Sequence, residues 1–360
     1  MATVLSPLSG SNYNNAQLLS GLQTQYGSRI AAQTASIESD YGTKLGAVDR
    51  HAQQWKDFRA DLEKPRSIVS GVVGRLKGIR ALLDSLSTTV GKANRDPQSG
   101  THYDGYRATF NSLLKSLRSR IDNTADSPNL LGRTGARELL IPTDISGASL
   151  SVRQNYKGID YRILDTSGFQ WAPDYNGNLL RRYDSYPDEP SSVSGNLANG
   201  VRLDSLSGDD VTFTVAPDTA SPQTVDGTID RGGIGLVDAW FYDNLATEDG
   251  RDRALADLKA AKNNIDQEIG RYQRTLTSIA YYDSRAKIRL GDFSEKTGAL
   301  LIERERAVLT SKENIQRQFD LATTALARNQ FAINVYKSMF ATSGNTVANR
   351  VFGTIVSTSA

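Results

Sequence analysis

The chain has 360 residues, enough for two or three domains, with 42 Lys plus Arg against 40 Asp plus Glu and 38% hydrophobic residues. Its net charge of +2 argues against a general nucleic-acid binder, which needs a cationic surface to displace phosphate counterions. The absence of cysteine excludes disulfides, zinc–thiolate sites and thiol nucleophiles.

Residues 1–15 are small and polar and are expected to form a flexible segment. They lack the basic start and apolar core of a secretory signal peptide, and no run of 18 apolar residues predicts a membrane span. An N-terminal helical arm is predicted over 16–137. Its first helix, from Ala16 to about Leu62, carries Leu18, Leu22, Tyr26, Ile30, Gln33 and Ile37 in one stripe. Tyr41, Leu45, Val48, Ala52, Trp55, Phe58 and Leu62 continue that stripe. Gly27, Gly42 and Gly46 each cost about 1 kcal/mol of helix stability relative to Ala, so this helix needs neighbours to hold it. Pro65 suits the start of a second helix, with Ile68, Val72, Val73, Leu76, Ile79, Leu82, Leu83, Leu86 and Val90 on its apolar face. Asp96-Pro97-Gln98-Ser99-Gly100 reads as a turn containing the approach to His102. A third helix is expected over 103–124.

From 138 to 235 the period changes to two, and a β-rich middle domain is predicted. Short strands are expected at 139–141, 149–154, 160–164, 201–203, 211–215 and 224–229. The stretch between Trp171 and Pro190 reads as an aromatic, charged loop. A C-terminal helical arm is predicted over 236–344. Its organising seam is Leu255, Leu258, Ala261, Ile265, Ile269, Tyr272, Leu276, Ile279, Tyr282, Ala286 and Leu290, close to the 3.5-residue period of a coiled coil. At 1.5 Å per residue, its forty or so residues make a helix of about 60 Å. A break is expected at Leu290-Gly291-Asp292. A last helix with Leu301, Val308, Ile315, Phe319, Ala322, Leu326, Ile333, Tyr336 and Phe340 is expected to end at Gly344-Asn345. A Ser/Thr-rich tail occupies 345–360. The fold class is therefore mainly α with an inserted β domain, its long terminal helices packed as a coiled-coil-like bundle.

Candidate chemistry is sparse. His51 and His102 are the only histidines and have no evident catalytic or metal partners. Gly232-Gly233-Ile234-Gly235 matches neither the dinucleotide nor the P-loop spacing and reads as a turn. Asp174-Tyr175-Asn176-Gly177-Asn178 begins like a calcium loop but lacks the motif's later glycine and terminal Glu. Asp184, Asp188 and Glu189, or Asp204, Asp209 and Asp210, could pair as glycosidase acids, but in strand–turn regions such residues are usually turn formers. No catalytic, cofactor or metal site is expected, and the chain is not expected to be an enzyme. The stronger signal is apolar residues at helical spacing near both termini. Leu22, Tyr26, Ile30, Phe319, Leu326, Phe331, Ile333, Tyr336 and Phe340 are the candidate assembly interface, since helices ordered by assembly need not be stable alone.

The layout resembles flagellin and its relatives, bacterial filament proteins with paired terminal helical arms and a variable middle. Three stretches carry the resemblance. Tyr103-Asp104-Gly105-Tyr106-Arg107-Ala108-Thr109-Phe110-Asn111-Ser112-Leu113-Leu114, running on to Asn129-Leu130-Leu131, is similar to the family's Arg…Phe…Leu helix and Asn-Leu-Leu turn. Gly233-Ile234-Gly235-Leu236 is similar to the return into the C-terminal arm. Leu326-Ala327-Arg328-Asn329-Gln330, ending at Tyr336-Lys337-Ser338-Met339-Phe340, is similar to the terminal helix. Two features depart from the family: Tyr41-Gly42-Thr43-Lys44-Leu45-Gly46-Ala47-Val48-Asp49-Arg50 replaces its Gly-Leu-x-Ile-Asn-Ser-Ala-x-Asp-Asp-type run, and the chain continues twenty residues past Phe340. The resemblance implies an extracellular, self-assembling structural subunit for motility, exported through the flagellar channel. Its partners would be itself and flagellar export and junction proteins, with no nucleic acid and no membrane insertion. Alternatives are a hook–filament junction protein, another secreted coiled-coil appendage or phage component, or a ligand-binding module using Trp171, Tyr175 or Tyr183.

Overall fold

A computed structural model describes residues 9–96, 99–122, 128–133, 138–174 and 176–356, with side chains over the same residues except 9–15, 99–101, 337 and 340–356. Four α-helices, nine strands and one 3-10 helix are present among them: α1 (Ser9–Asp61), α2 (Glu63–Arg95), α3 (Ser99–Ile121), β1 (Glu138–Pro142), β2 (Ser149–Arg153), β3 (Tyr161–Asp165), β4 (Gln170–Pro173), β5 (Leu179–Ser185), β6 (Glu189–Asn196), β7 (Val201–Ser207), β8 (Asp210–Val215), β9 (Gln223–Arg231), the 3-10 helix (Ala239–Leu245) and α4 (Glu248–Val356). The fold is mainly α, with long terminal helices and an antiparallel β region between them. The chain divides into two compact units, 54–288 and the paired termini 1–53 with 289–360.

In the unit 54–288, α2 buries a wide stripe that includes Ile68, Val69, Val72, Leu76, Ile79, Leu83, Leu86 and Val90. A stripe wider than a two-helix seam needs two partners. Phe110, Leu114, Leu117 and Ile121 of α3 cover one side. Towards α4, Arg80 pairs with Asp266, Lys262 with Asp84, and the Arg251 Nε donates to Asn94. These contacts make α2 and α4 antiparallel neighbours in constant register. The buried α4 seam is Ala254, Leu258, Ala261, Ile265, Glu268, Tyr272, Ile279, Asp283 and Ala286. Ala254 rather than the expected Leu255 lies inside, and two carboxylates occupy seam positions.

β1 and β2 form a separate hairpin, with Ile141 opposite Leu150. The other seven strands form one antiparallel sheet in the order β6-β5-β4-β3-β9-β8-β7. Its two edge strands meet at their tight connection: Gly200 N donates to Asn196 O and Ala216 N to Gly200 O. At Gly195 a Cβ would lie 2.6 Å from both Gly200 O and Val201 Cγ2, so the edges approach closely only because that residue has no side chain. Aromatic rings link the sheet to the helices. Trp171 meets Phe213 edge-on at 5.5 Å, Phe213 meets Trp240 at 5.6 Å, Trp240 meets Phe241 at 5.7 Å, and Phe110 of α3 meets Tyr242 at 5.8 Å.

The expected loop between Trp171 and Pro190 is instead β4, β5 and the start of β6. Pro173, Pro187 and Pro190 and a run of charges hide the strand period. Trp171 and Tyr183 nevertheless point inward and are buried. Strands β7, β8 and β9 extend beyond their expected ends. The break expected at Leu290-Gly291-Asp292 is absent, and α4 runs through it and through Gly344-Asn345 to Val356. One exposed glycine costs a helix only about 1 kcal/mol; Leu290 and Phe293 keep the half-buried stripe going, and Arg289 pairs with Asp292. His102 lies in the first turns of α3 rather than in a turn, its Nδ1 3.9 Å from Asp96. Residues 9–15 of the expected flexible segment are helical; 1–8, 97–98, 123–127, 134–137, Tyr175 and 357–360 lie outside the described residues.

Candidate assembly surface

The paired termini are built on a two-helix seam. On α1 the half-buried positions are Leu22, Tyr26, Ile30, Thr34, Ile37, Tyr41 and Leu45, leading to buried Val48. On α4 they include Phe293, Leu300, Ala307, Phe319, Ala322 and Leu326, with Ile315 buried. Tyr26 meets Phe319 edge-on at 5.4 Å, and its hydroxyl donates to Gln318 O at 3.5 Å. The His51 ring stacks on Phe293 at 6.2 Å, which gives that histidine a packing role. Thr34 takes the position expected of Gln33, and Leu300 that of Leu301, because the stripe drifts around the helix over several turns.

This seam is thin. Among the described residues of 1–53 and 289–360, only Val48 and Ile315 are fully buried apolar side chains. Open grooves flank it: one of about 660 Å³ borders Ala32, Ala307 and Ile315, and another of about 630 Å³ borders Ile30 and Gln316. Away from the seam, α4 exposes Leu321 (70%), Phe331 (73%), Ile333, Val335, Tyr336 and Met339. Of the expected interface residues, Leu22, Tyr26, Ile30, Phe319 and Leu326 lie half-buried in the seam. Phe331, Ile333 and Tyr336 are exposed, and the Phe340 side chain lies outside the described residues.

The unit 54–288 has the opposite character. Its buried polar groups, invisible to a periodicity reading, clamp strands and helices together. Asp238 accepts two hydrogen bonds from Arg118 at 3.0 Å and one from Tyr161, whose oxygen accepts from Trp240 Nε1 at 3.0 Å. Burial opposes the Arg118 charge, and Asp238 outweighs it, so the guanidinium pKa rises. Burial, then Asp238, pushes the Tyr161 hydroxyl well above the ordinary phenol range; burial and Asp257 do the same to Tyr242. Lys157 reaches Asn264 at 2.7 Å and lies 3.8 Å from Glu268, which also accepts from Asn155 and pairs with Arg271. The Asn129 side chain accepts from Leu131 N and Gly132 N and donates to Ile121 O. That closes the Asn-Leu-Leu turn behind α3.

The candidate ligand residues have structural partners. Trp171 is fully buried and donates to Asp165 at 2.9 Å; Tyr183 is buried, so neither offers a ring to a ligand. Asp174 accepts from Asn178 N and Leu179 N and holds the Asp174–Asn178 turn. Asp204 accepts from Arg202 and Thr214. Gly233 sits at φ +61°, and a Cβ there would overlap the Gly158 carbonyl. The Gly232-Gly233-Ile234-Gly235 run is thus a tight turn against the backbone, with Ile234 N donating to Gly158 O. No group of three or more metal-ligating side chains is found among the described residues. No described helix is long and apolar enough to cross a membrane.

These features define a mainly α chain with an antiparallel β region, one well-packed unit and one thinly packed helical pair. No family model and no curated protein matches the sequence. Among solved structures the chain is similar to FlgL of Xanthomonas campestris, at 10% identity and TM-score 0.25, over 76% of this chain and 99% of that one. It is also similar to the flagellar hook associated protein-3 of Legionella pneumophila, at 10% identity and TM-score 0.29, over 74% of this chain and 99% of that one. Likeness at these values carries no functional assignment by itself.

Proposed function

We propose that this chain is a structural subunit of a flagellin-type extracellular appendage, assembling through its terminal helices. The supporting observation is the contrast between the two units: one has an aromatic core and buried, paired charges, whereas the terminal pair has, among the described residues, two buried apolar side chains and a row of exposed ones. Fully burying each of Leu321, Phe331, Ile333 and Tyr336 is worth roughly 1.5–3 kcal/mol, so association gains what the isolated pair lacks. A heterologous contact that repeats without closing yields a helical assembly. Its partners are further copies of itself and the export and junction proteins of such an appendage.

Within the appendage we assign it to the hook–filament junction rather than the bulk filament. The run Tyr41 to Arg50 lacks the family's usual sequence, and α4 extends well beyond Phe340. Both alter the surfaces that a uniform filament must repeat. The test is negative-stain microscopy and sedimentation of the full chain beside a variant lacking 1–30 and 320–360, with and without preformed flagellin filaments. Binding of the full chain alone to filament ends, at few copies, supports the junction. Long homopolymers move the assignment to the bulk filament. A monomer that binds no seed under any salt condition overturns terminal-helix assembly.

A further inference from the structure

The charges of the folded unit are segregated. Strands β3 to β9 (residues 161–231) contain eleven Asp plus Glu against five Arg, whereas α2 to α3 (residues 63–121) contain eleven Lys plus Arg against four Asp plus Glu. These are net charges of −6 and +7 in a chain of net +2. On the helical side, α2 and α3 border a groove of about 1390 Å³. Its floor is made of small residues, with Gly71, Gly74 and Ala81 from α2 and Ser112 and Ser116 from α3. Lys115 and Arg120 line it and are exposed, and neither makes an ion pair among the described residues. Arg120 lies across Gly78, where a Cβ would collide with its guanidinium. Asp122 is the one carboxylate on the groove lining.

The sheet carries a complementary shape. β7 and β8 join through the two residues Gly208 and Asp209, with Ser207 paired to Asp210. Gly208 at φ +64° makes the turn tight, and nothing lies within 4 Å of where its Cβ would be. The tip is therefore narrow, and Asp209 and Asp210 at it are exposed. Thr228 donates to one oxygen of Asp210 at 3.2 Å and holds that carboxylate in place.

We propose that the β7–β8 tip of one copy inserts into the α2–α3 groove of a second copy, setting Asp209 and Asp210 against Lys115 and Arg120. The floor of small residues admits the Ser207-Gly208 backbone, and opposite charges guide and orient the encounter. The contact joins two different patches, so it is heterologous and adds a second interface to the assembly proposed above. It rests on that reading only in taking another copy as the partner.

The chain has no cysteine, so engineered thiols report the contact directly. Full-length Ser116→Cys and Ser207→Cys variants, both at exposed positions, are mixed under mild oxidation, and the mixed disulfide dimer is counted by mass beside pelleting with preformed flagellin filaments. The control replaces Ser116→Cys with Thr277→Cys on exposed α4 surface. The expected result is a mixed-dimer yield several-fold above the control, falling as salt approaches 1 M, where the Debye length is about 3 Å. Adding Arg120→Glu to the groove chain lowers the yield, and adding Asp210→Lys to the tip chain restores it. A yield equal to the control overturns the tip-in-groove contact. If that protein still pellets, terminal-helix assembly survives; if it neither cross-links nor pellets, both readings fail. Cross-linking without pelleting supports the contact and overturns terminal-helix assembly.

Discussion

Removing the carboxylate of Asp238 tests the buried charge network most sharply. Asp238 is 2% exposed and is the acceptor for Arg118, 13% exposed at its side chain, and for Tyr161. Asp238→Ala leaves a buried guanidinium without its counter-charge and a buried phenol without its acceptor. Breaking a buried pair from one side costs about 3–5 kcal/mol. For a unit of more than 200 residues each kcal/mol lowers Tm by about 2–4 °C, so a fall of about 6–20 °C is expected. The assay is thermal unfolding of the full chain by near-ultraviolet circular dichroism, which reads Trp171 and Trp240 in that core. The double variant Arg118→Met with Asp238→Leu removes both charges and should recover much of the loss, since apolar replacement of a buried pair is often neutral. A single-variant shift below about 2 °C, or a double variant no better than Asp238→Ala, refutes the account of a desolvated pair.

Three further outcomes follow from the same geometry. Tyr161 and Tyr242 have raised folded-state pKa values, so the stability each contributes is complete below the unfolded phenol value near 10 and is lost as pH rises above it. Alkaline titration at 295 nm should show these two ionising only with unfolding, and Tyr161→Phe, which leaves Trp240 Nε1 without its acceptor, should lower stability at neutral pH and flatten its fall towards alkaline pH; simple titration of every tyrosine in the folded chain would contradict this. Asn129→Ala orphans Leu131 N and Gly132 N and should cost about 1–3 kcal/mol in urea unfolding. Gly233→Ala combines a left-handed φ with overlap on the Gly158 carbonyl, so it should lower the urea midpoint by at least as much; an unchanged midpoint would show that the turn can move.

The helices were largely legible in the sequence because their apolar spacing is long and regular. Leu258, Ala261, Ile265 and Tyr272 of α4 and the wide stripe of α2 lie inside, as their periods predict. Boundaries were less legible. Gly291 and Gly344 are weak breakers, and a helix supported on both sides of a glycine continues through it. β4, β5 and β6 are hidden in the sequence because their prolines and charges break the alternation, while Trp171 is buried against Phe213, a residue distant in sequence, and Tyr183 lies opposite Gln170 of β4. Nothing in the local sequence marks the carboxylates of Glu268 and Asp283 as buried. Inside α4 they are buried against Lys157 and Arg59, which no local spacing connects to them.

The sequence by itself determined the class of the molecule: long amphipathic helices at both ends, a β-rich middle and no thiol chemistry. Those properties follow from local periodicity and composition. Only the tertiary structure decided which unit has a core. Heptad spacing states that a stripe will be covered, but not whether one helix or two will cover it. α2 has two neighbours and its stripe disappears from solvent; the outer part of α4 has one, and Phe331 and Tyr336 remain exposed. Burial is a property of the surrounding elements, and their number is set by the path of the whole chain.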